Sequence, residues 1–156
     1  HLSLRRQRQM CIRDRSATES LIPTKTGAAS AVGKVIPELQ GKIDGIAIRV
    51  PTSNVSLLDF TFNTEKNFSI DELNQIIENS INKEMKGIMD INSIPLVSLD
   101  FKGNPHSCVY DKQHTQKIGS STKILAWYDN EWGFANRMRD LANYVKDKFH
   151  KQIIAA

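Results

Sequence analysis

Long apolar runs are missing from this sequence: none approaches the ~18 residues that a membrane span needs. The arginines near its start are followed by no apolar segment, so the first residues do not read as a secretory leader. Cysteine is scarce. Cys11 and Cys108 are the only two and show no CxxC spacing, which excludes a disulfide scaffold and points to a reducing, intracellular setting. The four histidines are scattered without ligand spacing, so no metal site is expected. No GxGxxG follows a strand-like run, so the chain has no dinucleotide fingerprint of its own. Internal repeats and long low-complexity stretches are also absent.

What is present is an ordinary globular composition: 156 residues, 40% hydrophobic and 24% charged, enough for a domain with a real core. The formal net charge of +4 suggests a nucleic-acid partner until it is divided. Residues 1–15 hold five arginines against Asp14 alone, and the remainder balances 16 basic with 16 acidic side chains. The whole excess lies in the head, so composition shows no basic face on the body and no nucleic-acid partner is expected there. Residues 1–15 read as a non-native or disordered head, and "QMCIRDR" (9–15) resembles translated sequencing adapter. The natural protein is expected to continue N-terminally.

"TKTGAASAVGK" (24–34) has the ingredients of a phosphate loop with the wrong spacing. Five residues separate Gly27 from Gly33-Lys34 where a Walker A loop has four, and Val35 stands where Ser or Thr should follow the lysine. The phosphate logic lies at its front. Thr26 and Gly27 can open a helix whose free N–H groups and dipole suit an anion. From spacing alone an ordinary helix cap is the simpler reading. Arg49 weighs against it: it ends an apolar strand and can offer a planar, bidentate fork to an oxyanion. Lys34 reads as a solvated helix residue.

Local patterns predict a helix from Thr26, limited by Pro37 and Gly41, then strands over 45–50 and 55–63 that the short "PTSN" link would make neighbours. Ser69 and Glu72 form a capping box for a helix that Gly87 would end. Strands follow over 95–101, 106–111 and 122–129. A long last helix starts after Asn130, with Phe134, Met138, Leu141, Val145 and Phe149 on one apolar stripe. Strands come in runs, so the fold expected is α+β, a largely antiparallel or mixed sheet with helices on one face.

"AWYDNEWGFANR" (126–137) is the densest unusual stretch. Asp129 or Asn130 can cap the last helix with the aromatics in a core. The alternative is that Asn130 offers its planar amide to a flat ligand beside an aromatic face. His106 and Cys108 are two apart and would share a strand face, so a thiol–imidazole couple is conceivable, although a satisfied, partly buried cysteine fits better.

Taken together, "IPTKTGAASAVGKVIPELQGKIDGIAIRVPTSNVSLLDF" and "WYDNEWGFANRM" closely resemble glyceraldehyde-3-phosphate dehydrogenase, in the C-terminal part of its catalytic domain, over residues 16–150. The resemblance implies NAD-dependent, phosphate-consuming oxidation of an aldehyde to an acyl phosphate in glycolysis, with NADP as an alternative cofactor. It implies a cytoplasmic homotetramer acting on glyceraldehyde 3-phosphate and inorganic phosphate. By resemblance Thr26 and Gly27 belong to the inorganic-phosphate site, and Arg49 is a cation shared by the substrate and inorganic phosphates. Asn130 holds the nicotinamide carboxamide, and Phe134 stands beside that ring where many members have Tyr. The family's Ser-Cys-Thr-Thr-Asn nucleophile run, its catalytic histidine and its NAD-binding Rossmann domain are absent from this sequence. No catalytic residue is therefore assigned here, and the chain alone is expected to be inactive. Erythrose-4-phosphate dehydrogenase is the alternative within enzymes. Outside them stand an Arg-arm module that binds RNA or acidic surfaces and an interaction protein that lends its sheet to a full-length homologue.

Overall fold

The structure, a computed structural model, describes residues 19–154, with side chains through residue 149. The expectations for residues 1–15 lie outside the described residues. The chain forms two units, the first ending at Ser53 and the second beginning at Asn54.

In the first unit, β1 (Ile22–Lys25) leads into helix α1 (Ala28–Val35), a 3-10 turn (Pro37–Leu39) and β2 (Ile46–Arg49). The two strands pair antiparallel, with Ile22 opposite Arg49 and Lys25 opposite Ile46. Pro23 hides β1 from sequence reading because it withholds a ladder donor, which a two-stranded edge tolerates. Gly33 is buried, and a Cβ there would sit 3.0 Å from the Gln40 Cα, so only glycine lets the turn after α1 fold back this closely. The expected pairing of 45–50 with 55–63 is corrected: β2 takes β1, and the two strands lie in different sheets. The link between them breaks the ladder. Pro51 has no N–H, the Thr52 N–H turns back to Val50 O at 2.7 Å, and Val55 adopts a φ of 70°.

The second unit is a mixed sheet in the order β3-β6-β5-β4. Its elements are β3 (Ser56–Asn63), helix α2 (Ile70–Asn82), β4 (Met89–Asn92), a 3-10 turn (Ser98–Phe101), β5 (Cys108–Ile118), β6 (Ser121–Tyr128) and helix α3 (Asn130–Ile154). β3 and β5 flank β6 antiparallel, while β4 joins β5 in parallel. This is the α+β mixed architecture expected. The predicted capping box is present: Ser69 Oγ accepts from Glu72 N at 3.1 Å and Glu72 Oε2 accepts from Ser69 N at 2.8 Å. That helix stops at Asn82, earlier than Gly87, because the Lys83 N–H closes onto Ser80 O.

Two further expectations change. The segment 95–101 is not a strand. Asp100 Oδ2 accepts from Val97 N at 2.8 Å, and this local bond draws the chain into a 3-10 turn instead of a ladder. Phe101 is thereby buried, with its ring stacked on Trp127 at 5.2 Å. The strand expected over 106–111 begins at Cys108 and continues to Ile118 through a bulge between Asp111 and Gln116. At this bend Tyr110, 1% exposed, donates to Asn74 Oδ1 of α2 at 2.6 Å and meets Thr115 Oγ1. Asp111, equally buried, accepts from Trp127 Nε1 at 2.9 Å. Its other oxygen lies 3.0 Å from His114 Nδ1, near enough for an ion pair but without hydrogen-bond alignment.

The stripe on α3 has the predicted helical spacing, but Phe134, Met138, Leu141, Val145 and Phe149 are all exposed. Among the described residues no helix is long and apolar enough to cross a membrane.

Candidate functional site

The expected site residues fall into two sets, one in each unit. In the first, Gly27 rather than Thr26 is the N-cap of α1, and it brings no side-chain cap. Thr26 stands one residue earlier, its Oγ1 accepting from Ala28 N at 3.1 Å. The hydroxyl thus already satisfies one helix-start amide, and no acidic side chain competes for the others in the first turn. Arg49 ends β2, is exposed, and forms no ion pair among the described residues. The ladder places it opposite Ile22, at the other end of β1 from Thr26. At ~3.4 Å of rise per residue, roughly 10–14 Å of strand separates the two backbones. An anion held by both would need the long Arg49 side chain to bridge that span. Lys34 lies exposed in the last turn of α1, where its charge complements the helix dipole.

In the second unit, Asn130 is the first residue of α3 and Phe134 follows one turn later, so the two share a helix face. Both are exposed, and the Asn130 carboxamide makes no hydrogen bond to the described residues. Asp129 is the cap. Its Oδ1 accepts from Trp132 N at 3.1 Å, while Oδ2 accepts from Gly103 N at 2.9 Å and Asn54 Nδ2 at 3.1 Å. The Gly103 N–H, more than any other group, holds the Asp129 carboxyl below the usual carboxylate range, against the opposing effect of burial. Asn54 is the residue that sequence reading missed. It lies 75 residues from its partner, and no local signal marks it. Asp129 thus anchors the start of α3, and next to it an amide without a hydrogen bond among the described residues stands one turn from an exposed ring.

His106 and Cys108 do not form a couple of the kind a strand face would supply, because His106 precedes β5. Its N–H and Nδ1 both engage Asn104 Oδ1, at 3.0 and 2.9 Å. Burial pushes the Cys108 thiol up, away from a reactive thiolate.

Residues 4–130 match the family described as "Glyceraldehyde 3-phosphate dehydrogenase, C-terminal domain". The chain belongs to this family. The match ends at Asn130, so it reaches the start of α3 and stops short of Phe134. Among similar proteins, the chromosomal glyceraldehyde-3-phosphate dehydrogenase of Cupriavidus necator is 55% identical over 130 residues, covering 83% of this chain and 39% of that protein. The glyceraldehyde-3-phosphate dehydrogenase of Pseudomonas aeruginosa is 52% identical over 130 residues, with 83% and 38% covered. Glyceraldehyde-3-phosphate dehydrogenase 2 of Staphylococcus aureus is 48% identical over 134 residues, with 85% and 38% covered. The chain thus spans less than two fifths of the length of these relatives, and over that span it is a C-terminal-domain fragment of the glyceraldehyde-3-phosphate dehydrogenase type.

Proposed function

We propose that this chain is the part of a phosphorylating, NAD-dependent aldehyde dehydrogenase that contributes phosphate-binding and nicotinamide-facing groups, with NADP as an alternative cofactor. The observation that carries this reading is the exposed start of α3, where an Asn130 carboxamide without a hydrogen bond among the described residues stands one turn from the exposed Phe134 ring, in a chain of this dehydrogenase family. A primary amide offers donors and an acceptor, which suits the carboxamide of a nicotinamide, and the Phe134 ring offers an apolar flank. NAD, when bound, supplies the hydride acceptor. Thr26, Gly27 and Arg49 serve the phosphates of glyceraldehyde 3-phosphate and inorganic phosphate: the α1 start provides amide donors, and Arg49 provides a delocalised positive charge.

In this reading the nucleophilic cysteine, the catalytic histidine and the nucleotide-binding domain belong to sequence beyond these residues, and the working protein is a cytoplasmic homotetramer. The test is an assay of pure 156-residue protein for aldehyde oxidation that requires both NAD and phosphate. No turnover is expected. A phosphate-dependent rate abolished by thiol alkylation would overturn the assignment of catalysis to groups outside this chain. The same assay on a full-length dehydrogenase carrying this sequence as its C-terminal part should show turnover. There Asn130→Ala should raise KM for NAD, and an unchanged KM would remove Asn130 from the cofactor site.

A further inference from the structure

Asp129 does more than a helix cap requires. Capping α3 takes one oxygen, and Oδ1 provides it through the Trp132 N–H. Oδ2 points to other segments and collects the Gly103 N–H and the Asn54 side-chain amide. Asp129 is 3% exposed, so these donors replace the water its carboxylate has lost. Asn54 is itself committed at its other end, where Oδ1 accepts from Val55 N at 2.8 Å. Val55 has a φ of 70°, which a β-branched residue adopts only when its surroundings impose it. One carboxamide therefore joins a strained corner to the buried carboxylate at the start of α3.

Asn130 directly follows that carboxylate, and its own side chain has no partner among the described residues. With no hydrogen bond of its own among the described residues, it takes its direction from the backbone at the helix start. We propose that Asp129 is a positioning residue, held by Asn54 and Gly103, that sets the aim of the Asn130 carboxamide toward the nicotinamide. This rests on the reading of Asn130 given above. The carboxylate acts through Asn130 and touches no ligand itself. The donated hydrogen bonds, first that of the Gly103 N–H, more than offset the burial that would otherwise raise its pKa, so the carboxylate stays fully accepting.

The test uses a full-length dehydrogenase carrying this sequence as its C-terminal part. Asn130→Ala, Asp129→Asn and the milder Asn54→Ala are made singly, and the last two are also combined with Asn130→Ala. KM for NAD, kcat and Tm are measured for each. Asn130→Ala should raise KM for NAD roughly 3- to 10-fold, as expected for losing one hydrogen bond to the cofactor. Asp129→Asn and Asn54→Ala should each raise that KM several-fold. In the Asn130→Ala background they should lower Tm as before but leave KM where Asn130→Ala put it. If Asn130→Ala leaves KM unchanged, the reading of Asn130 fails and the role of Asp129 falls with it. If Asn130→Ala raises KM while Asn54→Ala and Asp129→Asn change only Tm, Asn130 stands and the positioning role is overturned. An equal rise in KM in both backgrounds also overturns it, because Asp129 would then act by another route.

Discussion

Gly133 of α3 runs so close to His106 that a Cβ on the glycine would lie 3.0 Å from the His106 carbonyl oxygen. The opposing atom is backbone, so no side-chain rotation relieves the clash. Gly133→Ala should therefore push the start of α3 off its seat and cost about 1–3 kcal/mol, the range for overpacking a tight contact. Ala has the better helix propensity, so an exposed glycine at this position would have given the opposite sign. Urea denaturation decides between them: equal or greater stability in the variant would show that the contact is not tight.

Asp129 makes a second prediction, on acid stability. Its folded-state pKa is depressed, first by the Gly103 N–H. A depressed carboxylate contributes stability that is fully present above its unfolded value of about 3.9 and is lost as pH falls through the folded value. Stability of the chain should fall with acidification below pH about 4, and Asp129→Asn should flatten that fall. Exposed Glu72, also depressed through its bonds with Ser69, leaves a residual slope in the variant. Parallel acid limbs in chemical denaturation at stepped pH would contradict the assignment to Asp129.

Tyr110→Phe should destabilise the second unit by about 1–3 kcal/mol, the cost of leaving buried polar groups unpaired. The buried Asn74 and Thr115 both depend on the Tyr110 hydroxyl. Tyr110→Phe combined with Asn74→Leu should recover part of the loss, since removing both partners spares the desolvated amide. Thermal unfolding of the two variants checks this, and a double variant less stable than Tyr110→Phe alone would count against it.

Arg49 and Lys34 should separate cleanly in function. In a full-length dehydrogenase carrying this sequence, Arg49→Ala should raise KM for phosphate and for the phosphorylated substrate by tenfold or more, on the order of one lost charge-assisted pair. Lys34→Ala should leave both within about twofold, because that side chain sits exposed in the last turn of α1. A larger rise from Lys34→Ala than from Arg49→Ala would place the anion near Lys34 instead.

Much of this architecture was legible because it is written locally. The Ser69–Glu72 box spans four residues, and the bonds it predicts are the bonds found. The period of α3 could be read from its apolar steps, but its burial could not: whether a stripe is covered depends on what lies against it, and here Phe134 is 65% exposed. β1 was hidden by Pro23 and β4 by its mixed "MDIN" pattern, while 95–101 looked like a strand until the Asp100 side chain bent it. The site residues themselves came from a resemblance carried by two motifs. Asn54 carried no such mark.

The sequence by itself determined the helix starts to within two residues, four of the strands in whole or in part, the α+β class and the family, because side chain-to-backbone caps, periodicity and motif act within a few residues of chain. Only the tertiary structure decided that β2 pairs with β1 rather than β3, that Gly133 must clear His106, and that Asp129 answers to Asn54 and Gly103. Those relations join segments far apart in the chain. They are set by which surfaces meet and by the need to satisfy a buried charge, and neither is encoded in any short window of residues.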